Sequence, residues 1–172
     1  MTAGLNLKCE AFEREIDFAF WYRKERMLDQ KSEPRFVVGE AKSFAEEAIE
    51  KGDLEALQAV AKELPGTVLV VSVLKENFSE KEKQLLEKLV RWGWVSVEGR
   101  MRAPVIMLTG VELFANWTVQ TSWQQKGAPY PADAQMSVFS DLELFAMETQ
   151  RIHLGLDYPS HIKEKYKAAK QT

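Results

Sequence analysis

Three residues of the types that bind metal ions and activate water lie in or beside apolar, strand-like segments. Glu40 and Lys42 are two residues apart at the end of "RFVVGEAK", and Asp17 lies earlier in "EIDFAF". Side chains two residues apart in a strand point to the same side, so Glu40 and Lys42 should project together. If the two strands pair, Asp17 can lie beside Glu40.

Two carboxylates on an apolar sheet repel each other and are costly to remove from water. Lys42 supplies one positive charge, and a divalent cation would supply the rest. Oxygen ligands without histidine or cysteine favour Mg²⁺ or Mn²⁺ over Zn²⁺. Such a cation can orient water and offset the charge that grows on phosphoryl oxygens, while a lysine adds a positive charge beside the reaction. The chemistry that these residues predict is phosphodiester hydrolysis.

The segments that contain these residues have the sequence patterns of strands. Apolar and polar residues alternate over residues 5–11 and 16–22, and an apolar segment covers residues 35–42. These patterns predict three strands, and their short connections predict an antiparallel meander.

The period then changes to that of helices. Residues 43–64 have helical spacing with a break near Gly52, where Asp53 is a candidate N-cap of a second helix. The run "TVLVVSVLK" predicts a strand that is covered on both faces. The next segment opens with a capping box, Ser79 to Glu82, and predicts a helix. The segment "APVIMLTGVEL" is a further candidate strand.

The predicted fold class is therefore α/β. A helix between two strands implies a parallel crossover, so we expect a mixed central sheet with the order β-β-β-α-β-α, flanked by helices. We predict that residues 1–115 form the core. Residues 116–172 are predicted to form a long polar loop and a helical C-terminal extension that packs on the core.

The pattern of Asp17, Glu40 and Lys42 resembles the PD-(D/E)xK nuclease superfamily, which has the restriction-endonuclease-like fold. The element order also matches over roughly residues 5–112: an aspartate strand, an acid-x-lysine strand, a helix and an apolar strand. The resemblance implies that the Asp17 and Glu40 side chains and the Ala41 carbonyl bind Mg²⁺ or Mn²⁺, and that Lys42 helps to activate water. It further implies a nuclease whose partner is DNA.

The chain departs from the family pattern in two places. Ile16 precedes the aspartate where the motif has proline, a departure that is common among divergent members. The family usually has a helix before the first strand, whereas a strand is predicted here within a few residues of Met1. Either the chain is a fragment of a larger parent protein that supplies the helix, or another element replaces the helix. The resemblance also makes a homodimer a candidate assembly, because many such nucleases pair to cut two strands. Two residues are secondary candidates. Glu15 is a candidate partner of the metal ligands, and Gln58 corresponds to a glutamine that some branches of the superfamily place on the following helix.

Two other interpretations of the charged residues remain open. The same fold can serve as a catalytically inactive interaction module for nucleic acid or protein, and the net charge of −3 lacks the basic excess typical of nucleic-acid binding. The three residues could also form a structural salt-bridge cluster, although such clusters are seldom required for stability. An acid-x-lysine triplet alone is not specific, because "DQK" at residues 29–31 is another.

The remaining features predict little chemistry. Cys9 is the single cysteine, which excludes a disulfide or a cysteine-rich zinc site within one chain. The sequence shows no signal-peptide pattern and no apolar run of membrane-spanning length, so we expect a cytoplasmic protein. For Trp117 and Trp123 the sequence does not decide between packing and base stacking, and we expect His153 and His161 at the surface.

Overall fold

The protein is built around a four-stranded mixed sheet. The computed structural model describes residues 5–9, 12–23, 33–42, 47–97, 100–116, 118–131, 141–157 and 159–160. The strands are β1 (Leu5–Cys9), β2 (Phe12–Ile16), β3 (Phe18–Tyr22), β4 (Arg35–Lys42), β5 (Val68–Val73), β6 (Ser96–Val97), β7 (Arg100–Met101) and β8 (Val105–Leu108). The described helices are α1 (Lys51–Glu63), α2 (Glu80–Gly93), α3 (Gly110–Leu113), α4 (Val119–Lys126) and α5 (Leu142–Leu154).

The sheet confirms the α/β class and its mixed character. Strand β3 pairs antiparallel with β4, and β4, β5 and β8 are parallel neighbours. Helices α1 and α2 are the crossover connections between the parallel strands. The candidate strand near residue 105 is therefore confirmed as the fourth strand of the sheet.

The predicted three-stranded meander is wrong in one respect. Strand β1 pairs with β2 in a separate two-stranded sheet, while β3 belongs to the main sheet. The cause lies at Asp17, between β2 and β3. Its backbone N–H donates to the Gly39 carbonyl at 3.2 Å, and Phe18 is paired with the same Gly39. Two successive residues thus meet one residue of β4, as in a β-bulge, and the chain bends there.

Helix α1 begins earlier than Asp53, so the assignment of Asp53 as its N-cap was wrong. Glu50 is the N-cap, and the Asp53 carboxylate accepts a hydrogen bond from the Glu50 backbone N–H at 2.8 Å. An acidic residue three positions after the cap closes a capping box, which explains why this helix begins at Lys51. The start of the predicted helix at residues 43–46 lies outside the described residues.

The capping box predicted for α2 is confirmed. Ser79 is the N-cap, and Glu82 accepts hydrogen bonds from its backbone N–H and hydroxyl, both at 2.7 Å. The buried Glu82 carboxylate also accepts from the Ile49 backbone N–H and from the Lys75 ammonium, each at 2.9 Å. One side chain thereby ties the start of α2 to the segments next to α1 and β5.

Apolar side chains cover both faces of the sheet. On one face, Val38 and Val71 pack in a core with Leu57 of α1 and Leu86 of α2. On the other face, the smaller cluster consists of Val37, Val68, Val70 and Ile106, with Ala146 of α5. The C-terminal helix α5 is confirmed by this packing.

The segment after residue 116 is more ordered than the predicted loop. Residues 119–126 form helix α4, and Thr118 caps it by accepting a hydrogen bond from the Thr121 backbone N–H. Trp123 is fully buried, and its indole Nε1 donates to Glu112 at 2.8 Å, so it packs in the core and is not available for base stacking. The surface assignment of His153 is also wrong, because its side chain is buried beside Glu112.

Two predictions for the tail concern residues that the structure does not describe. Trp117 and His161 lie outside the described residues. Among the described helices, none combines the length and the apolar character needed to cross a membrane.

Candidate active site

The last residues of β4 place Glu40 and Lys42 on the face of the sheet that carries α1. Side chains alternate along the strand, and Val38, two residues before Glu40, packs in the core cluster that includes α1. The Lys42 ammonium lies 2.8 Å from Glu40 Oε1 and 3.1 Å from Asp53 Oδ2, the latter in the first turn of α1. The expectation that Glu40 and Lys42 project together is thus met by a direct contact.

Asp17 reaches the same strand from the bulge between β2 and β3. Its Oδ2 accepts a hydrogen bond from the Ala41 backbone N–H at 2.7 Å. The backbone pairing of β3 with β4 stops at Phe18 and Gly39. Beyond it, the Asp17 side chain replaces the backbone carbonyl that would otherwise accept from the Ala41 N–H. The bulge thereby directs a carboxylate to the residue between Glu40 and Lys42.

The Ala41 carbonyl points toward the same neighbour. In a strand, the N–H and C=O of one residue are directed to the same adjacent strand. Because the Ala41 N–H meets Asp17, the Ala41 carbonyl is directed to the β2–β3 side as well. The structure thus brings together the residues that the sequence singled out: Asp17, Glu40, Ala41 and Lys42.

Burial raises the pKa of the Glu40 carboxyl, and the negative charges of Asp17 and Asp53 raise it further. The hydrogen bond and charge of Lys42 oppose this effect without cancelling it. Glu40 is therefore a carboxylate whose charge is incompletely compensated by the protein.

Lys42 is affected in the opposite sense. Burial alone would lower the pKa of its ammonium, but the hydrogen bonds and charges of Glu40 and Asp53 outweigh burial and raise it. A lysine with a raised pKa keeps its proton at neutral pH, so Lys42 is a fixed positive charge and not a proton acceptor.

The charges around Lys42 do not balance. Among the described residues, the Lys42 ammonium pairs with Glu40 and Asp53, and the charge of Asp17 acts on Glu40, so one ammonium offsets three carboxylates. A divalent cation would supply this missing charge, and the carboxylate and carbonyl oxygens of Asp17, Glu40 and Ala41 are donors of the kind that Mg²⁺ and Mn²⁺ prefer. In charge and donor type, the residues fit such an ion.

The described residues hold no preformed cluster of side-chain ligands. Within the described ranges, no group of three or more His, Cys, Asp or Glu side chains stands close enough to hold a metal ion. The candidate ligand set differs from such a cluster, since it consists of two acidic side chains and one backbone carbonyl. Asp53 is therefore a partner of Lys42 and does not complete a three-acid ligand set.

The sequence reasoning missed the contact between Asp53 and Lys42. A signal was available: the helix that follows a parallel strand begins at the carboxyl end of that strand, where Lys42 lies. An acidic residue in the first turn of that helix could have been assigned to the site. The secondary candidates do not join it in this way, because Glu15 is exposed in the β1–β2 hairpin opposite Asn6 and Gln58 lies more than a turn beyond Asp53 in α1.

A cavity of about 360 Å³ lies further along the same edge of the sheet. Leu74, which follows β5, donates its backbone N–H to the Lys42 carbonyl at 3.3 Å and lines this cavity with Val111 and Phe114. The lining does not include Asp17, Glu40 or Lys42, so the cavity neighbours the charged cluster without containing it.

Comparisons of the chain with family models, with curated proteins and with solved structures give no match.

Proposed function

We propose that the chain is a metal-dependent nuclease domain of the restriction-endonuclease-like class, which uses Mg²⁺ or Mn²⁺ to hydrolyse the phosphodiester bonds of DNA. The observation that carries the proposal is that the Asp17 carboxylate meets the Ala41 backbone N–H, between Glu40 and Lys42. Lys42 is in turn hydrogen-bonded to Glu40. The excess of negative charge at this point supports a divalent cation as the missing component.

Each residue has a role that follows from its position. Asp17, Glu40 and the Ala41 carbonyl would hold the cation, which when bound polarises water and offsets charge on the phosphoryl oxygens. Lys42 remains protonated and provides a fixed positive charge beside the attacking water or the phosphate. The Ala41 N–H holds the Asp17 carboxylate in place, so this ligand is oriented before the substrate arrives.

The interaction between Glu40 and Lys42 must change during this reaction. Glu40 Oε1 is bonded to the Lys42 ammonium in the structure. If Glu40 held a divalent cation, the Lys42 ammonium would lose this hydrogen bond, because like charges repel more strongly in a partly buried site than in water. Lys42 would then be available to the substrate.

The decisive experiment is a cleavage assay on plasmid and linear DNA with Mg²⁺ or Mn²⁺. Lys42→Ala should lower the rate by about 10²-fold or more, as is typical when a group that stabilises transition-state charge is removed. Asp17→Asn and Glu40→Gln should abolish both cleavage and the heat of Mn²⁺ binding. Lys51→Ala is a suitable control, since that side chain is 77% exposed and pairs only with Glu55 among the described residues.

Absence of cleavage by the wild-type protein with either metal would contradict the proposal. Equal rates for Lys42→Ala and wild type would contradict the role of Lys42. Parallel assays with RNA and with single-stranded DNA identify the preferred substrate.

The second candidate is a catalytically inactive domain of the same fold that binds nucleic acid or protein. It is favoured by the direct bond between Glu40 and Lys42, which satisfies one ligand oxygen internally. Calorimetry with Mn²⁺ separates the two candidates, because an inactive module need not bind the ion. Binding heat that disappears in Glu40→Gln favours the nuclease.

A further inference from the structure

The Lys42 ammonium is shared by carboxylates from two different elements. Glu40 belongs to the same strand and lies 2.8 Å away, while Asp53 belongs to helix α1 and lies 3.1 Å away. The side chains of Lys42 and Asp53 are 19% and 21% exposed, so this pair is shielded from water far more than an ordinary surface pair.

Asp53 is itself held in place by the start of α1. The same oxygen that meets Lys42, Oδ2, accepts the Glu50 backbone N–H at 2.8 Å. A carboxylate in the first turn is also favoured by the helix dipole. Its position is therefore fixed by the helix and does not depend on Lys42 or Glu40.

From this arrangement we infer that Asp53 is a positioning residue, which keeps the Lys42 ammonium at the site when Glu40 binds a divalent cation instead of Lys42. The catalytic consequence rests on the proposed nuclease function, whereas the hold on Lys42 does not. Glu40 cannot bind a cation and Lys42 equally well, because the two positive charges repel each other. Among the described residues Asp53 is not part of a three-acid ligand cluster, so its carboxylate stays available to Lys42.

The test uses Asp53→Asn, which keeps an oxygen for the Glu50 N–H but removes the charge that faces Lys42. Acylation of lysines by acetic anhydride at neutral pH, read by mass spectrometry, reports how firmly the carboxylate partners of Lys42 hold its amino group out of the reaction. We expect acylation of Lys42 to rise about threefold to tenfold in the variant, the range for a charged hydrogen bond reduced by partial exposure. Saturating Mg²⁺ should widen the difference, because Glu40 is then occupied.

Glu55→Gln is the matched control on the same helix. Glu55 pairs with Lys51 at the surface, with side chains 60% and 77% exposed. This variant should leave acylation of Lys42 unchanged. Asp53→Ser, which also retains a capping oxygen, serves if Asp53→Asn unfolds at the assay temperature.

Cleavage kinetics supply the second measurement. Misplacement of Lys42 should lower kcat about tenfold to a hundredfold, with KM for DNA unchanged. Acylation of Lys42 equal to that of the wild type, with and without Mg²⁺, would overturn the inference, as would an unchanged kcat. A wild-type protein that does not cleave DNA contradicts the nuclease proposal instead, and the acylation result still decides whether Asp53 holds Lys42.

Discussion

The Asp17 carboxylate accepts a hydrogen bond from the Ala41 backbone N–H, with Oδ2 2.7 Å from the nitrogen. This contact joins the bend between β2 and β3 to the strand that carries Glu40 and Lys42. It gives Asp17 two separable roles, one in the stability of β4 and one in the charge of the site.

Substitutions of Asp17 should separate these roles. Asp17→Ala removes the acceptor and should lower the free energy of unfolding by about 1–2 kcal/mol, the cost of leaving a partly buried N–H unpaired. Asp17→Asn retains an acceptor oxygen and should cost less, yet both variants should lose Mn²⁺ binding. Urea unfolding and calorimetry measure the two effects, with the exposed Glu15→Gln as control. Equal stability of Asp17→Ala and wild type would show that the bond is not formed in solution.

A second prediction concerns acid stability and Glu82. Burial raises the pKa of the Glu82 carboxyl, but hydrogen bonds from Lys75, Ser79 and the Ile49 backbone outweigh burial and lower it below its usual 4.5. A lowered folded-state pKa gives stability that is fully present above the unfolded-state pKa and is lost as pH falls through the folded-state value. The free energy of unfolding should therefore decline below about pH 4.5.

Glu82→Gln isolates this contribution. The variant should be less stable than wild type by about 1–3 kcal/mol at pH 7, because the charge that pairs with buried hydrogen-bond donors is lost. The difference should shrink as pH is lowered from 4.5 toward 3. Glu80→Gln is the control, since the Glu80 side chain is 82% exposed and lies two residues before Glu82 in the first turn of α2. A stability difference that does not depend on pH would refute the assigned role.

Sequence patterns predicted those helices and strands whose signals lie within the segment itself. The alternation and apolar runs located β4 and β5, and Ser79 with Glu82 located the start of α2, because both signals depend on neighbouring residues alone. The mixed sheet followed from the order of helices and strands. The relation between Glu40 and Lys42 followed from their spacing on one strand.

Features that depend on distant contacts were not predictable in this way. The bulge at Asp17 arises from the pairing of Phe18 with Gly39, and it divides one alternating segment between two sheets. The bulge requires glycine at residue 39, because an added Cβ there would overlap the Phe18 ring. The contact between Asp53 and Lys42 depends on where α1 packs. The burial of His153 likewise depends on tertiary packing, which polarity alone does not reveal.

A third prediction concerns the buried hydrogen bond between Trp123 and Glu112. The Glu112 carboxylate accepts from the Trp123 indole at 2.8 Å and from the Thr109 hydroxyl at 2.9 Å, and His153 lies 3.4 Å away. Trp123→Phe keeps most of the apolar contact but removes the donor. The variant should lower the free energy of unfolding by about 1–3 kcal/mol, because a buried charged oxygen loses a partner.

A double-mutant cycle with Glu112→Gln tests whether this cost comes from the hydrogen bond. Two residues in direct contact should show a coupling energy of about 0.5–3 kcal/mol in urea unfolding. Trp21→Phe, at a side chain 68% exposed, is the control and should change stability by less than about 0.5 kcal/mol. Additive effects of Trp123→Phe and Glu112→Gln would mean that the loss of stability reflects packing alone.

The last prediction compares two helical glycines that differ in their surroundings. Gly93 ends α2, and a Cβ there would overlap the Ala103 carbonyl oxygen, a backbone atom held by the hydrogen bond from the Ala103 N–H to the Gly93 carbonyl at 3.2 Å. Gly52 lies in the first turn of α1, and a Cβ there would meet no atom within 4 Å.

Gly93→Ala should therefore destabilise the protein by about 1–3 kcal/mol, the usual cost of forcing extra atoms into a packed interior. Gly52→Ala should stabilise it by up to about 0.5–1 kcal/mol, because alanine loses less backbone entropy in a helix. Urea unfolding of both variants gives the comparison, and a Gly93→Ala protein as stable as Gly52→Ala would mean that α2 does not approach the Ala103 backbone this closely in solution.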